Sequence, residues 1–477
     1  MKLLLPLSLK LQAAIGAASL FVAITSQAQT PISVSTSAAL QQAIGTVANG
    51  GIIELAPGTY AAPSGGFTIY DPAKGFTVRA QSGQPVTLTG GGSTDIVRLA
   101  NHTNGTGRVV TFSGITFENG VSSTDFIGGA LTLAQTEAAF VDCTFRNNKA
   151  NPGTTGGGAQ WIDTSIVSFQ RCTWSGNQSK NYAAGFSALK STVTISDSRF
   201  ASNLVNVPGH KSNSNGAALT ARASTVRISG TAFDDNQAGY TGGAIYTFGD
   251  WGAPESVPAV DLIVSNCSFT NNTATPNPSV ATATPLGGAI HLEDQTTGRF
   301  TNCRFIGNSA RQGGAISSYR AITTIESCIF KDNKVTGAGN GEGIGGTIIS
   351  LSSDSKDAST ANGTINRRSA VLNVTDSYFE GTGSDGRQGG CIFAQGDLNS
   401  AYGIGVNRDN SQPPENNRST VSLTRVAFVG FSAQGANTIP GGGYYTPGSG
   451  GAVMADFVDL TMTDSMVQNC AASDYGG

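Results

Sequence analysis

Two short signals alternate along this chain, and their alternation limits its fold more than any other feature. From Gly287 to Val335 the sequence reads GGAIHLEDQTTGRFTNCRFIGNSA and then GGAISSYRAITTIESCIFKDNKV. Gly-Gly-Ala-Ile opens a short strand, and Cys-x-Phe-x-x-Asn closes another. A repeat of this length cannot bury its apolar side alone and has to stack on its neighbours. Short strands with glycine and asparagine corners predict an all-β solenoid. The glycine signal or a degenerate form stands at Gly128, Gly157, Ala184, Gly216, Gly242, Gly287, Gly313, Gly345, Gly389 and Gly450. At the third of these it reads Ala184-Gly185-Phe186. The companion motif ends at Asn148, Asn177, Asn203, Asn236, Asn272, Asn308 and Asn333. These asparagines are expected to be structural, taking the left-handed corner conformation, bonding the backbone there and stacking above one another. The large residue of each motif is expected to fill the lumen.

The remaining composition agrees. The 63 glycines and a charged fraction of 12% suit corners and short strands better than long helices. Residues 1–28 read as a secretory signal peptide, with Lys2 and Lys10, an apolar stretch to Thr25 and small residues at Ser26 and Ala28. Residues 29–65 read as an N-terminal cap. There Ala38, Leu40, Ile44 and Val47 recur at helical spacing behind Ser35 or Ser37, followed by a strand and a turn at Pro57-Gly58-Thr59-Tyr60. Residues 66–127 are the first coils, 128–344 the regular coils, and 345–477 irregular coils with long insertions. The last letters, Tyr475-Gly476-Gly477, resemble the start of another repeat, which predicts that a longer protein continues. A net charge of −3 and mean hydropathy near zero exclude a basic nucleic-acid face and a membrane span in this segment.

The cap segment, ending in Pro57-Gly58-Thr59-Tyr60, resembles that of pectate-lyase-like right-handed β-helix proteins. The paired GGAI and FxxN repeats resemble those of chlamydial polymorphic outer-membrane proteins, strongly from Gly128 to Asn333 and weakly from Gly345 to Gly477. The resemblance implies a right-handed parallel β-helix with a short N-terminal capping helix. It also implies export to the cell surface or outer membrane, where such proteins are displayed and several act as adhesins ahead of a membrane-embedded β-barrel. No such barrel is read in this sequence.

Cys143, Cys172, Cys267, Cys303 and Cys328 each stand two residues before the lumen residue. Stacking would place Cys143 over Cys172, and Cys303 between Cys267 and Cys328, about 4.8 Å apart. Neighbours within one parallel sheet rarely meet disulfide geometry, so a column of small buried thiols is the expectation. Cys391 and Cys470 lie outside this pattern. Metal binding is not expected, with three histidines and no Cys-x-x-Cys.

Chemistry needs side chains that leave the lumen. Counting from the last letter of each glycine signal, the first and third positions are apolar, so the second and fourth are expected to face solvent. The second column then reads Thr132, Trp161, Ala188, Thr220, Tyr246, His291, Ser317. The fourth reads Ala134, Asp163, Lys190, Arg222, Phe248, Glu293, Tyr319. Asp163, Lys190 and Arg222 would share one column beside Trp161 and below Tyr246. A ladder of opposite charges accounts for them, each pair contributing under about 1 kcal/mol. The alternative is a groove on acidic polysaccharide. There Lys190 or Arg222 acts as base, Asp163 holds a cation, and Trp161, Tyr246, His291 and Glu293 bind sugar. No cofactor is expected, and calcium enters only with the lyase alternative. His102, His210 and His291 read as surface or turn residues. The insertions at 206–215, 250–260, 273–285, 352–368, 394–420 and 432–449 are candidate recognition loops. The largest holds Asp397, Tyr402, Arg408, Asp409, Glu415 and Arg418.

Together these readings point to an exported β-helix rod. Its expected work is that of an adhesin or matrix protein binding polysaccharide or a neighbouring cell surface. A polysaccharide lyase or hydrolase of the same fold is the alternative.

Overall fold

The structure is a computed structural model. It describes residues 30–71, 74–100, 107–122, 124–150, 157–205, 214–249, 260–275, 284–336, 343–356, 365–368, 370–381, 389–396, 419–433, 449–456 and 458–473, leaving aside the side chains at 353–356 and 365–368. Residues from Pro31 onward form one compact unit. Among the described residues no helix is long and apolar enough to cross a membrane.

One coil shows the plan. The chain runs through Ile290–Glu293, Thr296–Thr301, Arg304–Ile306 and the two-residue strand Ser309–Ala310, then returns to the next glycine signal. The following coil repeats this as Ile316–Tyr319, Ile322–Glu326, Ile329–Lys331 and Lys334–Val335, each pairing in parallel with its predecessor. Among the described residues these ladders build sheets of 12, 14, 13 and 8 strands, in the order the coil visits them. The antiparallel hairpin Ser353–Lys356 with Ile365–Arg368 falls within one of the expected insertions. The protein is a right-handed parallel β-helix, as the resemblance to such proteins implies.

Its corners are made by residues with φ near +50°. Thr164, Lys190, Ala223 and Arg320 turn the first corner; Asp142, Arg171, Asn266 and Ser327 the second; Asn147, Ser202, Asn271 and Asp332 the third. This corrects the role expected of the motif asparagines. The left-handed residue is the one before each of them, and the asparagine itself is buried in an unbroken ladder. Asn236 donates through Nδ2 to the Phe200 carbonyl at 3.0 Å and to Asn272 Oδ1 at 2.9 Å. Its own Oδ1 accepts from the backbone N–H and Nδ2 of Asn203 at 3.2 and 2.9 Å. The same pattern links Asn148, Asn177, Asn203, Asn236, Asn272, Asn308 and Asn333. Carboxamides satisfied in this way can be buried without the loss that a dry orphan would impose.

The lumen is filled as expected. Phe145, Trp174, Phe200, Phe233, Phe269, Phe305, Phe330, Phe379 and Phe428 are fully buried and stack in sequence, with ring centroids 4.2–5.3 Å apart. The cysteines also stack as the spacing predicts, and the column explains them. Cys143, Cys172, Ser198, Thr231, Cys267, Cys303, Cys328 and Ser377 occupy one position on successive coils. The backbone N–H of Cys172 is received by Ser198 Oγ at 3.0 Å, and that of Cys303 by Cys328 Sγ at 3.3 Å. Thiol and hydroxyl therefore do the same work. Cys391 takes the small third place of a glycine signal. Cys470 takes the asparagine position, its Sγ lying 3.8 Å from the Phe428 carbonyl.

Before the first coils, Ser37–Thr46 forms the expected helix. Its cap is Thr36, whose Oγ1 accepts from the Ala39 N–H at 3.2 Å, not Ser35 or Ser37. Leu40 and Ile44 close over the lumen. The expected turn at Pro57-Gly58-Thr59-Tyr60 is largely strand, Gly58–Ala61 pairing with Val86–Thr89. Tyr60 is buried with its hydroxyl bonded to the carbonyls of Val34 and Ala56.

Candidate functional site

The strand after each glycine signal presents its first and third residues to the lumen, where Ile290 and Leu292 are fully buried. The second and fourth residues point outward. They do not form the open face expected of them. Trp161, Ser187, Thr220, Tyr246, His291 and Ser317 are each at most 7% exposed. Part of the cover is the turn that leads into each glycine signal, whose residues bridge from coil to coil at Tyr182–Asn215, Thr241–Leu286, Leu286–Gln312 and Gln312–Ile344. Toward the C-terminal coils the face is apolar, with Ile344, Ile349, Leu351 and Phe393 clustering apart from the lumen. At mid-helix it is polar and aromatic.

The register shifts two of the expected residues. Asp163 pairs with Leu189, and Leu189 with Arg222, so Lys190 is not in that column. Lys190 lies one step later, at a corner with φ +47°. The cause is the degenerate signal: Gly185, not Phe186, aligns with the third letter, as the pairing of Gln160 with Phe186 shows. Ser187 likewise replaces Ala188 in the second column. Asp163 accepts a hydrogen bond from Thr164 Oγ1 at 2.9 Å, and Trp161 meets Phe126 edge to face at 5.4 Å. Both stand four coils from Glu293, too far for one site with it. Arg222 lies 5.6 Å from the Phe248 ring centre.

The residues brought together are Tyr246, His291 and Glu293, with Phe248, Tyr319 and Arg320 beside them. Tyr246 and His291 pair across neighbouring coils, their rings parallel and 5.6 Å apart. Phe248 stacks on Tyr246 at 5.0 Å, and Tyr182 on Phe248 at 5.9 Å. The Tyr246 hydroxyl donates to Glu293 Oε2 at 2.5 Å, and His291 Nε2 lies 3.7 Å from the same oxygen. Arg320 pairs with Asp294 at 2.5 Å and covers the Tyr319 ring at 4.6 Å. Burial pushes the Glu293 carboxyl up, but His291, the Tyr246 hydrogen bond and the Arg320 charge outweigh it and hold it below its ordinary value. Burial, then the Glu293 charge, push the Tyr246 phenol well above its usual range. Tyr182 and Tyr240 are raised for the same two reasons, burial first, with Arg222 opposing at Tyr182.

His291 is thus a buried member of the cluster, not the surface or turn residue expected. Its Nδ1 makes no hydrogen bond, and neither does Oγ of Ser317 on the next coil or Oγ of Ser187. Tyr182 and Tyr240 were not among the expected residues. Each stands just before a glycine signal, and that repeated placement was the available clue. His102, His210, Asp397, Tyr402, Arg408, Asp409, Glu415 and Arg418 lie outside the described residues. Among the described residues no three His, Cys, Asp or Glu side chains are grouped to hold a metal ion.

A Chlamydia polymorphic membrane protein repeat matches residues 230–247, 266–293 and 302–319, segments that contain Tyr246, His291, Glu293 and Ser317. No curated protein matches the chain. Among solved structures, the chain is similar to the A-module of the Azotobacter vinelandii mannuronan C-5 epimerase AlgE6, at 11% identity and TM-score 0.46, covering 91% of this chain and 95% of that one. It is similar to a mannuronic acid specific polysaccharide lyase of family 6 from human gut microbiota, at 13% identity and TM-score 0.37, covering 92% and 82%. Pectate lyase Pel9A is similar at 12% identity and TM-score 0.35, covering 77% and 79%. The fold assignment rests on the parallel ladders themselves.

Proposed function

We propose that this protein is an exported, surface-displayed β-helix that engages polysaccharide as an adhesin or matrix component. The observation that carries this reading is the half-buried edge of the mid-helix column, where Glu293, Asp294, Tyr319 and Arg320 remain partly exposed beside the buried rings of Tyr246 and Phe248. Aromatic faces and fixed hydrogen-bonding groups are what sugar rings require, and a column of them suits an extended chain. The surface assignment is supported by the matched repeats and by the leader read in residues 1–28. The test is binding of the mature chain to immobilised polysaccharides and to cells. Binding that survives excision of 394–420 and is lost on Tyr246→Ala supports the outward face. Binding lost only with the loop moves the function to the insertions, and no binding refutes the reading.

A second reading, a polysaccharide lyase or hydrolase, is favoured by one contact. Tyr246 hydrogen-bonded to a buried carboxylate, with His291 against the same oxygen, is a group capable of moving a proton. Incubation with polyuronates, followed by the ultraviolet absorbance of unsaturated ends, tests the lyase form. Reducing-end release tests the hydrolase form. Product formation abolished by Tyr246→Phe would support it, and no product from any polysaccharide would remove it.

A further inference from the structure

We propose that the groove along the second corner of the central coils binds an acidic polysaccharide and seats a uronate carboxylate on Arg304. This rests on the reading that the protein engages polysaccharide. It names the class, and it adds a contact on a different face from the Tyr246 cluster.

The groove has a volume of about 340 Å³ and crosses four successive coils, from Gly230 to Ile329. Its ends are three strand spacings apart, about 14 Å along the helix axis. It forms where the strand Thr296–Thr301 and its stacked neighbours give way to Arg304–Ile306 and its own, at the corner residues Asn266, Asn302 and Ser327. All three corner side chains are exposed, so the groove is open to solvent along its length. Asn302 Nδ2 donates to Asn266 Oδ1 at 2.7 Å. The other amide hydrogens of this pair and the Asn302 carbonyl oxygen bond no described residue, which leaves donors and an acceptor for ligand hydroxyls. Ser268 and Ser327 add hydroxyls, and the half-buried Ile329 offers an apolar surface for ring C–H groups.

Charge decides the class. Arg304 is exposed, and among the described residues its guanidinium has no hydrogen bond or ion pair. By contrast, Arg146, Arg171, Arg199, Arg299 and Arg425 each hold a carboxylate on a neighbouring coil, at 2.5–2.8 Å. Arg304 lies instead between Ser268 and Ile329, neither of which carries a charge. No described carboxylate lines the groove, and Glu326 stands outside it on the strand before the corner. An uncompensated guanidinium among amides and hydroxyls attracts an anion, and its planar fork matches a carboxylate with two parallel hydrogen bonds. One cation is too few for a polyphosphate or a nucleic acid, which needs a run of them. A single charge amid groups that bond hydroxyls matches a uronate. An acidic peptide would supply the carboxylate without the hydroxyls.

The test is calorimetric titration of the whole chain with hexagalacturonate, a β-1,4-linked glucose hexamer and hexaglutamate. The uronate is expected to bind, more weakly as salt rises because the cation is exposed. Arg304→Gln is expected to lower its affinity roughly tenfold, the worth of a charged hydrogen bond. Asn302→Asp is expected to lower it as far, by setting a carboxylate in the groove with Arg304. The corner accepts that change, since Asp142, Asp197 and Asp376 hold the equivalent place at φ between +50° and +54°. Arg304→Gln decides the matter alone should the other variant misfold. Uronate binding unchanged in both variants would place the ligand elsewhere and overturn this groove. Binding of the glucose hexamer alone would overturn the class while leaving the polysaccharide reading intact. Hexaglutamate binding as tightly as the uronate, and lost in the same variants, would make the groove a peptide site and overturn the sugar assignment. Failure of every sugar would overturn both readings.

Discussion

At Asn236 a single carboxamide is bonded at all four of its hydrogen-bonding positions, three of them to the coil before and one to the next. Asn236→Leu keeps the volume but strands the Phe200 carbonyl and the Asn203 donors in a dry interior. Each such orphan costs about 1–3 kcal/mol, so a loss of at least about 3 kcal/mol is expected in urea unfolding. The cysteine column gives a contrasting expectation. Cys303→Ser preserves the acceptor and donor that the column uses and is expected to change stability by under about 1 kcal/mol. Cys303→Leu removes both and overfills the corner, and is expected to cost about 2 kcal/mol or more. Equal effects from the two variants would mean the thiol is not acting as a hydroxyl. At this scale the sequence was half legible. It marked which asparagines stack but set them at the left-handed corner, because the left-handed residue and the ladder residue are neighbours and asparagine suits either place.

Between elements, the second glycine of each signal fixes how closely coils approach. A Cβ on Gly288 would overlap the Gly314 carbonyl oxygen and the backbone of Ser309, all of it main chain that cannot step aside. Gly288→Ala is therefore expected to separate two coils. It should appear as faster amide exchange confined to the strands around Ile290 and Ile316, with distant coils unaffected, since a solenoid is held by nearest neighbours. The contact between Tyr246 and Glu293 also joins two coils, and it links stability to pH in both directions. Glu293 titrates below its ordinary value in the folded chain, so its contribution is present above that ordinary value and is lost as pH falls through the lowered one. Tyr246 titrates above its ordinary value, so its contribution is complete below the usual phenol range and is lost as pH rises through the raised one. Melting curves against pH should show both limbs, and Tyr246→Phe should shrink the alkaline one, leaving the shares of Tyr60, Tyr182 and Tyr240. An alkaline limb unchanged in Tyr246→Phe would contradict the assignment. The misplacement of Lys190 belongs to this scale too. Where Ala183-Ala184-Gly185 replaces the full signal, small residues fit the pattern in two registers one apart, and a one-residue slip turns every side chain to the opposite face.

For the molecule as a whole, the repeat made the architecture legible from the first pair of coils, because stacking is the one way such units bury their apolar sides. The candidate site was legible in part. Tyr246, His291, Glu293 and Ser317 could be placed in columns by counting, but counting gave no sign that the face is covered. The cover includes turn residues such as Tyr182 and Ile344, whose contacts arise only after the coils close. All of it depends on register: if the coils were not stacked as the repeat demands, neither His291 and Ser317 nor Tyr246 and Glu293 would meet. Spin labels measure that register directly. Ser168, Thr194, Arg227, Ile263, Arg299, Thr324 and Asn373 succeed one another across adjacent strands of one sheet. With Cys470→Ser to avoid labelling a partly exposed thiol, labels at 168 and 299 should lie about 19 Å apart, and labels at 168 and 373 about 29 Å, at about 4.8 Å per coil. Distances that fail to rise by one strand spacing per repeat would contradict the stacking and dissolve the site with it.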